Sequence, residues 1–247
     1  MRSTHVRSLF FVLSTALSIG TAKASSLSVF DWDTRAGGSY SVVANNSADG
    51  NGSLHLTTTP NFQIGGVNQD KVAVIFANGG ALGTLNALTD VSLQAFKSST
   101  PSTIPAADFA YRLQLANGDS LVYENAYNGS AAVPLDIWRN LDLTAGNFWL
   151  YDKATDTNFN AAGQEHALSF YLPTEGTQSV VGLQVAYGSG IGAFDGNVDN
   201  IHLAFGAQTF DGAVVAAPLP SSAFGGLALF GALAVWSVKS RKAKITA

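Results

Sequence analysis

Between Ser25 and about Ala217, the apolar positions of this chain fall in short runs, and polar residues alternate within most of them. Ser53-Leu-His-Leu-Thr-Thr58 has a period of two, and so does Asp90-Val-Ser-Leu-Gln-Ala-Phe96. That period predicts strands with one face buried. Lys71-Val-Ala-Val-Ile-Phe76 is apolar throughout, as expected of a central strand, and stops at Asn78-Gly-Gly80. The clearest hairpin is Phe109 to Glu124. Tyr111, Leu113 and Leu115 share a face, Asn117-Gly118 makes the turn, and Leu121-Val-Tyr123 returns. Further strands are predicted over 137–143, 148–151, 167–172, 179–187 and 198–205, whereas Ser98 to Asp108, carrying Pro101 and Pro105, reads as an unpaired loop. About ten strands with turns between them, and no stretch at helical spacing, predict an all-β, two-sheet antiparallel sandwich over 25–215.

The two ends break this pattern. Arg2 and Arg7 precede the apolar run from Leu9 to Ile19, and Ala22-Lys-Ala24 offers the small-x-small site cut by a signal peptidase. Residues 1–24 therefore read as an export signal, with Ala22 and Ala24 at the cleavage site. At the far end, 216–247, Pro218-Leu219-Pro220 is followed by uncharged residues 223–238 and a basic tail, Lys239 to Lys244. Sixteen uncharged residues reach roughly 24 Å as a helix, just short of a comfortable bilayer crossing. Flanking serines and snorkelling lysines extend that reach, so one C-terminal membrane helix is expected, with its basic end cytoplasmic.

Charge sharpens the picture. The region from 25 to 217 holds 6 basic and 17 acidic side chains, a net of 6 − 17 = −11. Such a surface repels nucleic-acid phosphates and anionic lipid and attracts divalent cations, so nucleic acid is excluded as a partner. So few basic residues also make arginine-clamped phosphate or carboxylate ligands poor candidates. There is no cysteine, which removes disulfides, thiolate metal sites and cysteine nucleophiles.

Two resemblances follow from these residues. The Pro-x-Pro motif, short apolar helix and basic end resemble a PEP-CTERM sorting signal, with Leu219 where the family has glutamate. That similarity implies processing by an exosortase-type membrane peptidase, association with exopolysaccharide, and display at the cell surface or in the extracellular matrix after transient anchoring. A permanent single-span anchor predicts the same topology and differs in keeping the helix in the mature protein. The core is similar to jelly-roll sandwiches of the carbohydrate-binding-module type. The segments that carry this are Phe30-Asp-Trp-Asp33, Gly50-Asn-Gly-Ser-Leu-His-Leu56 and Phe194-Asp-Gly-Asn-Val-Asp-Asn-Ile201. In such modules the first and last strands lie close together and often share a structural calcium. The resemblance thus offers Asp31 and Asp33 on one strand, with Asp195 and Asp199 on the other, as oxygen ligands.

Aromatic rings offer a platform for sugar. The pool is Trp32, Tyr123, Tyr127, Trp138, Trp149 and Tyr151. Tyr123 and Trp138, in alternating strands, are expected in the core, leaving Tyr127 and Trp32 as the glycan-binding candidates. Catalysis finds little support. The only glutamates are Glu124, Glu165 and Glu175, and no carboxylate spacing marks a glycosidase pair. There is no Gly-x-Ser-x-Gly elbow and no His-Glu-x-x-His zinc motif, and His55 and His202 read as sheet-surface residues. The expectation is a non-catalytic, glycan-associated exported protein, with no catalytic residues. The competing class is a secreted polysaccharide hydrolase or lyase using a carboxylate pair.

Overall fold

A computed structural model describes residues 25–44, 46–60, 62–101, 104–129, 132–159, 165–188 and 192–212. The export signal with Ala22 and Ala24, and the tail with Pro218, Leu219 and Pro220, lie outside the described residues. Among the described residues no helix is long and apolar enough to cross a membrane.

Twelve strands of four or more residues, counted among the described residues, build two antiparallel sheets. They are β1 (Ser28–Asp31), β2 (Gly38–Val43), β3 (Ser53–Thr58), β4 (Val72–Ala77), β5 (Leu88–Lys97) and β6 (Ala110–Leu115). β7 (Ser120–Glu124), β8 (Trp138–Asp142), β9 (Asn147–Asp152), β10 (Ser179–Tyr187), β11 (Phe194–Phe205) and β12 (Gln208–Gly212) follow. Sheet I runs β8-β5-β11. The other edge of β11 is shared: its first half, Phe194 to Val198, pairs with β3 and thence β2, and its second half, Ile201 to Phe205, pairs with β12. Sheet II runs β9-β7-β6-β10-β4-β1. The expected two-sheet sandwich is present.

Alternation explains the core. The inward residues are Leu54 and Leu56 of β3, Val91, Leu93 and Ala95 of β5, and Val198 and Leu203 of β11. They bury against Val72, Val74 and Phe76 of β4, Tyr111 and Leu113 of β6, and Leu183 and Val185 of β10. Across the sheets Tyr187 stacks on Phe194 with ring centroids 4.0 Å apart, and Phe109 meets Phe194 edge-on at 4.7 Å. Tyr123 is in the core as expected. Trp138 is not: opposite Phe96 in the β8–β5 register, it packs on that ring at 5.6 Å on the outer face of sheet I. The inward place next to it goes to Arg139, which reaches Asp108 at 2.8 Å.

The predicted hairpin forms in register, with Leu113 opposite Leu121 and Gly118 at φ +95° in the turn. The expected strand 167–172 is instead a helix, α1 (Leu168–Glu175). Leu168, Tyr171 and Leu172 stand at i, i+3 and i+4 and all turn to the core, while Phe170 is left 54% exposed. The Tyr171 hydroxyl donates to the Phe148 carbonyl at 2.7 Å and fastens the helix to β9. Strands β2 and β12 had no counterpart in the sequence reading. β2 is an edge strand exposed on both faces, so it carries no burial pattern to read.

At one end of the sandwich Lys97 is almost wholly buried. Its ammonium donates to the carbonyls of Ile104, Pro105 and Ala107 at 2.7, 3.2 and 2.7 Å, which ties the proline-bearing loop to the end of β5. Burial pulls the Lys97 pKa below the usual lysine value; Asp108 opposes that and Arg139 adds to it. Truncation leaves three carbonyls without a donor in a water-poor site. Lys97→Met should therefore cost about 3 kcal/mol of unfolding free energy, read from urea melts, since hydrogen bonds to charged groups are the strong ones. A loss below about 1 kcal/mol would show that the loop holds without its ammonium.

Candidate functional site

The period of two that sends Tyr111 and Leu113 inward sends Arg112 and Gln114 to the outer face of sheet II. Strand register then fixes their neighbours. Arg112 lies between Gln184 of β10 and Val122 of β7, and Val122 lies opposite Trp149 of β9. Gln114 is opposite Ser120, which is opposite Tyr151. Just past β1, the Trp32 N–H donates to the Ala73 carbonyl at 3.0 Å, and the indole is 51% exposed. Trp32, Arg112, Gln114, Gln184, Ser120 and Tyr151, with Asp33 and Lys153, line a groove of about 390 Å³. A second hollow shares Arg112 and extends to Lys71, Glu124 and Asp108.

The groove floor is polar and ordered. Gln114 Nε2 donates to Gln184 Oε1 at 2.5 Å, and Ser120 Oγ donates to Gln114 Oε1 at 3.2 Å. The Arg112 guanidinium lies over the Trp149 ring, 5.8 Å from its centroid. It makes no hydrogen bond and no ion pair among the described residues, and its Nε is shielded from solvent without a partner. Burial lowers the Arg112 pKa from its usual value and the Glu124 charge opposes this. Burial also raises the Glu124 carboxyl above the ordinary range, opposed by Arg112. Tyr151 donates its hydroxyl proton to Asp156 at 2.5 Å, a bond that holds the phenol above its usual pKa.

Of the expected glycan residues, Trp32 forms one wall of this groove. Tyr127 lies elsewhere, in the turn 125–127 after β7, 43% exposed and lining a hollow with Ile104, Ala107 and Glu124. Of the four aspartates expected to hold calcium, Asp31 and Asp33 lie on and just past β1, and Asp195 and Asp199 lie on β11. β1 is at the edge of sheet II and β11 runs through the middle of sheet I. Each carboxylate has local work. Asp31 accepts from the Thr34 N–H at 3.1 Å. Asp33 is held by Lys71 at 2.5 Å and Arg35 at 3.5 Å, and Asp195 meets His55 Nε2 at 3.1 Å. Asp199 marks the point where β11 changes partner. It accepts from the Ala48 and Asn200 N–H groups at 3.1 and 2.8 Å, and Asn200 takes a left-handed φ of +48°. Among the described residues no three His, Asp or Glu side chains converge on a point that could hold a metal ion. His55 and His202 are sheet-surface residues; His202 Nδ1 lies 2.6 Å from Asp211.

No protein-family model matches the chain, and no curated protein matches it. Arg112, Gln114, Ser120, Gln184 and Lys153, which make up most of the groove's polar lining, were not among the candidates named from the sequence. Their signal lay in the polar half of the predicted hairpin and in Gln184, the one amide inside an apolar strand.

Burial raises the Asp33 carboxyl, but its bonds to Lys71 and Arg35 more than offset this and leave its pKa below the usual value. The stability this ion pair contributes is therefore complete above the unfolded pKa of about 3.9. It is lost as pH falls through the lower folded value. The melting temperature should fall less steeply on acidification in Asp33→Asn than in the native chain. Parallel curves would show that the Lys71 contact contributes nothing.

Proposed function

We propose that this protein is an exported, non-catalytic surface or matrix component whose jelly-roll core binds glycan along the outer face of sheet II. The jelly-roll assignment is supported by strand order: β3-β11-β5-β8 in one sheet and β4-β10-β6-β7 in the other. The groove carries the reading. A half-exposed indole, Trp32, and a phenol, Tyr151, border it, and an ordered amide–hydroxyl row, Gln114, Gln184 and Ser120, forms its floor. Rings of this kind offer an apolar face to a pyranose, and fixed amides offer paired donors and acceptors to its hydroxyls.

The carboxylate pair of a hydrolase finds less support. Asp108 is buried and committed to Arg139, which leaves Glu124 as the remaining acid in its hollow. A tyrosine base for elimination is equally poorly served. The Tyr151 proton is held by Asp156, and burial beside Asp70 and Asp108 pushes Tyr187 up to about 12. Export and surface display rest on the two terminal segments. Residues 1–24 direct secretion, and the PEP-CTERM-like tail brings the protein to an exosortase-type peptidase and to exopolysaccharide after transient anchoring.

The test is a polysaccharide panel, run with calcium and with chelator, against the native protein and two variants. Trp32→Ala should weaken binding about tenfold, or roughly 1.4 kcal/mol, while Tyr127→Ala, in a separate hollow, should weaken it less than threefold. No binding across the panel, or binding indifferent to Trp32, would remove the glycan reading. Accumulation of reducing ends or unsaturated products would replace it with the hydrolase or lyase.

A further inference from the structure

We infer that the groove is built for a glycan bearing carboxylates, with Arg112 as the residue that receives the carboxylate; this rests on the glycan reading above. The ground is an imbalance in how the protein pairs its own guanidinium groups. A partly buried guanidinium ordinarily recovers its lost hydration through ion pairs or hydrogen bonds. Arg139 does so with Asp108 and Arg35 with Asp33. Arg112 has neither among the described residues: its guanidinium lies over the Trp149 ring, Glu124 in the adjoining hollow acts on it as an opposite charge without forming an ion pair, and its Nε is shielded and unpartnered. The planar fork that lines the groove therefore keeps its donors for an incoming group.

The distribution of charge points the same way. The region 25–217 has six basic residues, Arg35, Lys71, Lys97, Arg112, Arg139 and Lys153. Arg112 and Lys153 line the groove, Lys71 lines the hollow that continues it, and Arg35 shares Asp33 with Lys71. Four of the six thus gather on one face of a domain whose net charge is −11. A low count of cations makes an arginine-clamped carboxylate a poor candidate when they are dispersed; clustering on one face favours it here. A carboxylate matches the guanidinium fork with two parallel bonds. The Gln114 and Gln184 amides beside it suit the hydroxyls of the same sugar, whereas a densely sulfated chain would meet the acidic surroundings with more charge than one fork absorbs.

The test uses the purified full-length protein at fixed ionic strength with polygalacturonate and alginate, their carboxyl-reduced neutral counterparts, and dextran sulfate. The native protein should bind a polyuronate at least tenfold more tightly than the reduced polymer and than dextran sulfate. Arg112→Met should lose that preference, and Arg112→Lys should keep part of it. The comparison of polymers on the native protein stands even if Arg112→Met fails to fold. Equal binding to acidic and reduced polymers overturns this inference and leaves the glycan reading standing. Equal binding of dextran sulfate overturns the selection of carboxylate over other anions. No binding to any polymer, acidic or neutral, overturns both.

Discussion

The structure depends on one constraint: in a strand, each side chain committed to the core commits its neighbours to the opposite face. Tyr111, Leu113 and Leu115 fill the space between the sheets, and the same backbone must present Arg112 and Gln114 outward. β10 repeats the arrangement, with Leu183 and Val185 inward and Gln184 between them. Antiparallel pairing then sets these residues side by side. The core and the groove are two readings of the same register, so a one-residue slip would destroy both at once.

Charged and polar groups inside the sandwich hold its shape. Lys97 gives its ammonium to three carbonyls of the loop that leads into β6. Arg139 and Asp108 pair beside it. Asp199 and Asn200 manage the break where β11 passes from β3 to β12, a bend that the irregular β11–β5 register marks. The acidic residues Asp31, Asp33, Asp195 and Asp199 serve as turn acceptors and ion-pair partners. Arg112 is the exception, half-buried with no polar partner among the described residues.

Most of the sandwich was legible because burial on one face leaves a period of two. The strands over 53–58 and 88–97 carry it, while 72–77 and most of 179–187, buried on both faces, read instead as short apolar runs bounded by turn residues. The helix at Leu168 was not legible as such. Its apolar residues satisfy both a two-residue and a helical spacing over five positions, and Pro173 reads as a strand end. β2, with neither face buried, left no periodic trace. Of the site, Trp32 could be named because an indole is a candidate sugar platform on its chemistry alone. The remainder was hidden by the convention that polar residues in an alternating strand are merely solvated. Which polar residues become neighbours is decided by pairing between β6, β7, β9 and β10, and a single sequence does not state it. The calcium expectation takes the first and last acidic strands to lie close together; they belong to different sheets, a placement that a single sequence does not state.

The central claim is one of place: ligand is taken on the outer face of sheet II. The most direct measurement is a backbone and side-chain NMR titration with soluble oligosaccharides, neutral and acidic. The account predicts that shifts concentrate at the Trp32 indole, the Gln114 and Gln184 amides and the Arg112 guanidinium, with the outer face of sheet I unmoved. Shifts centred instead on Phe96, Trp138 and His55, on the opposite sheet, would contradict it.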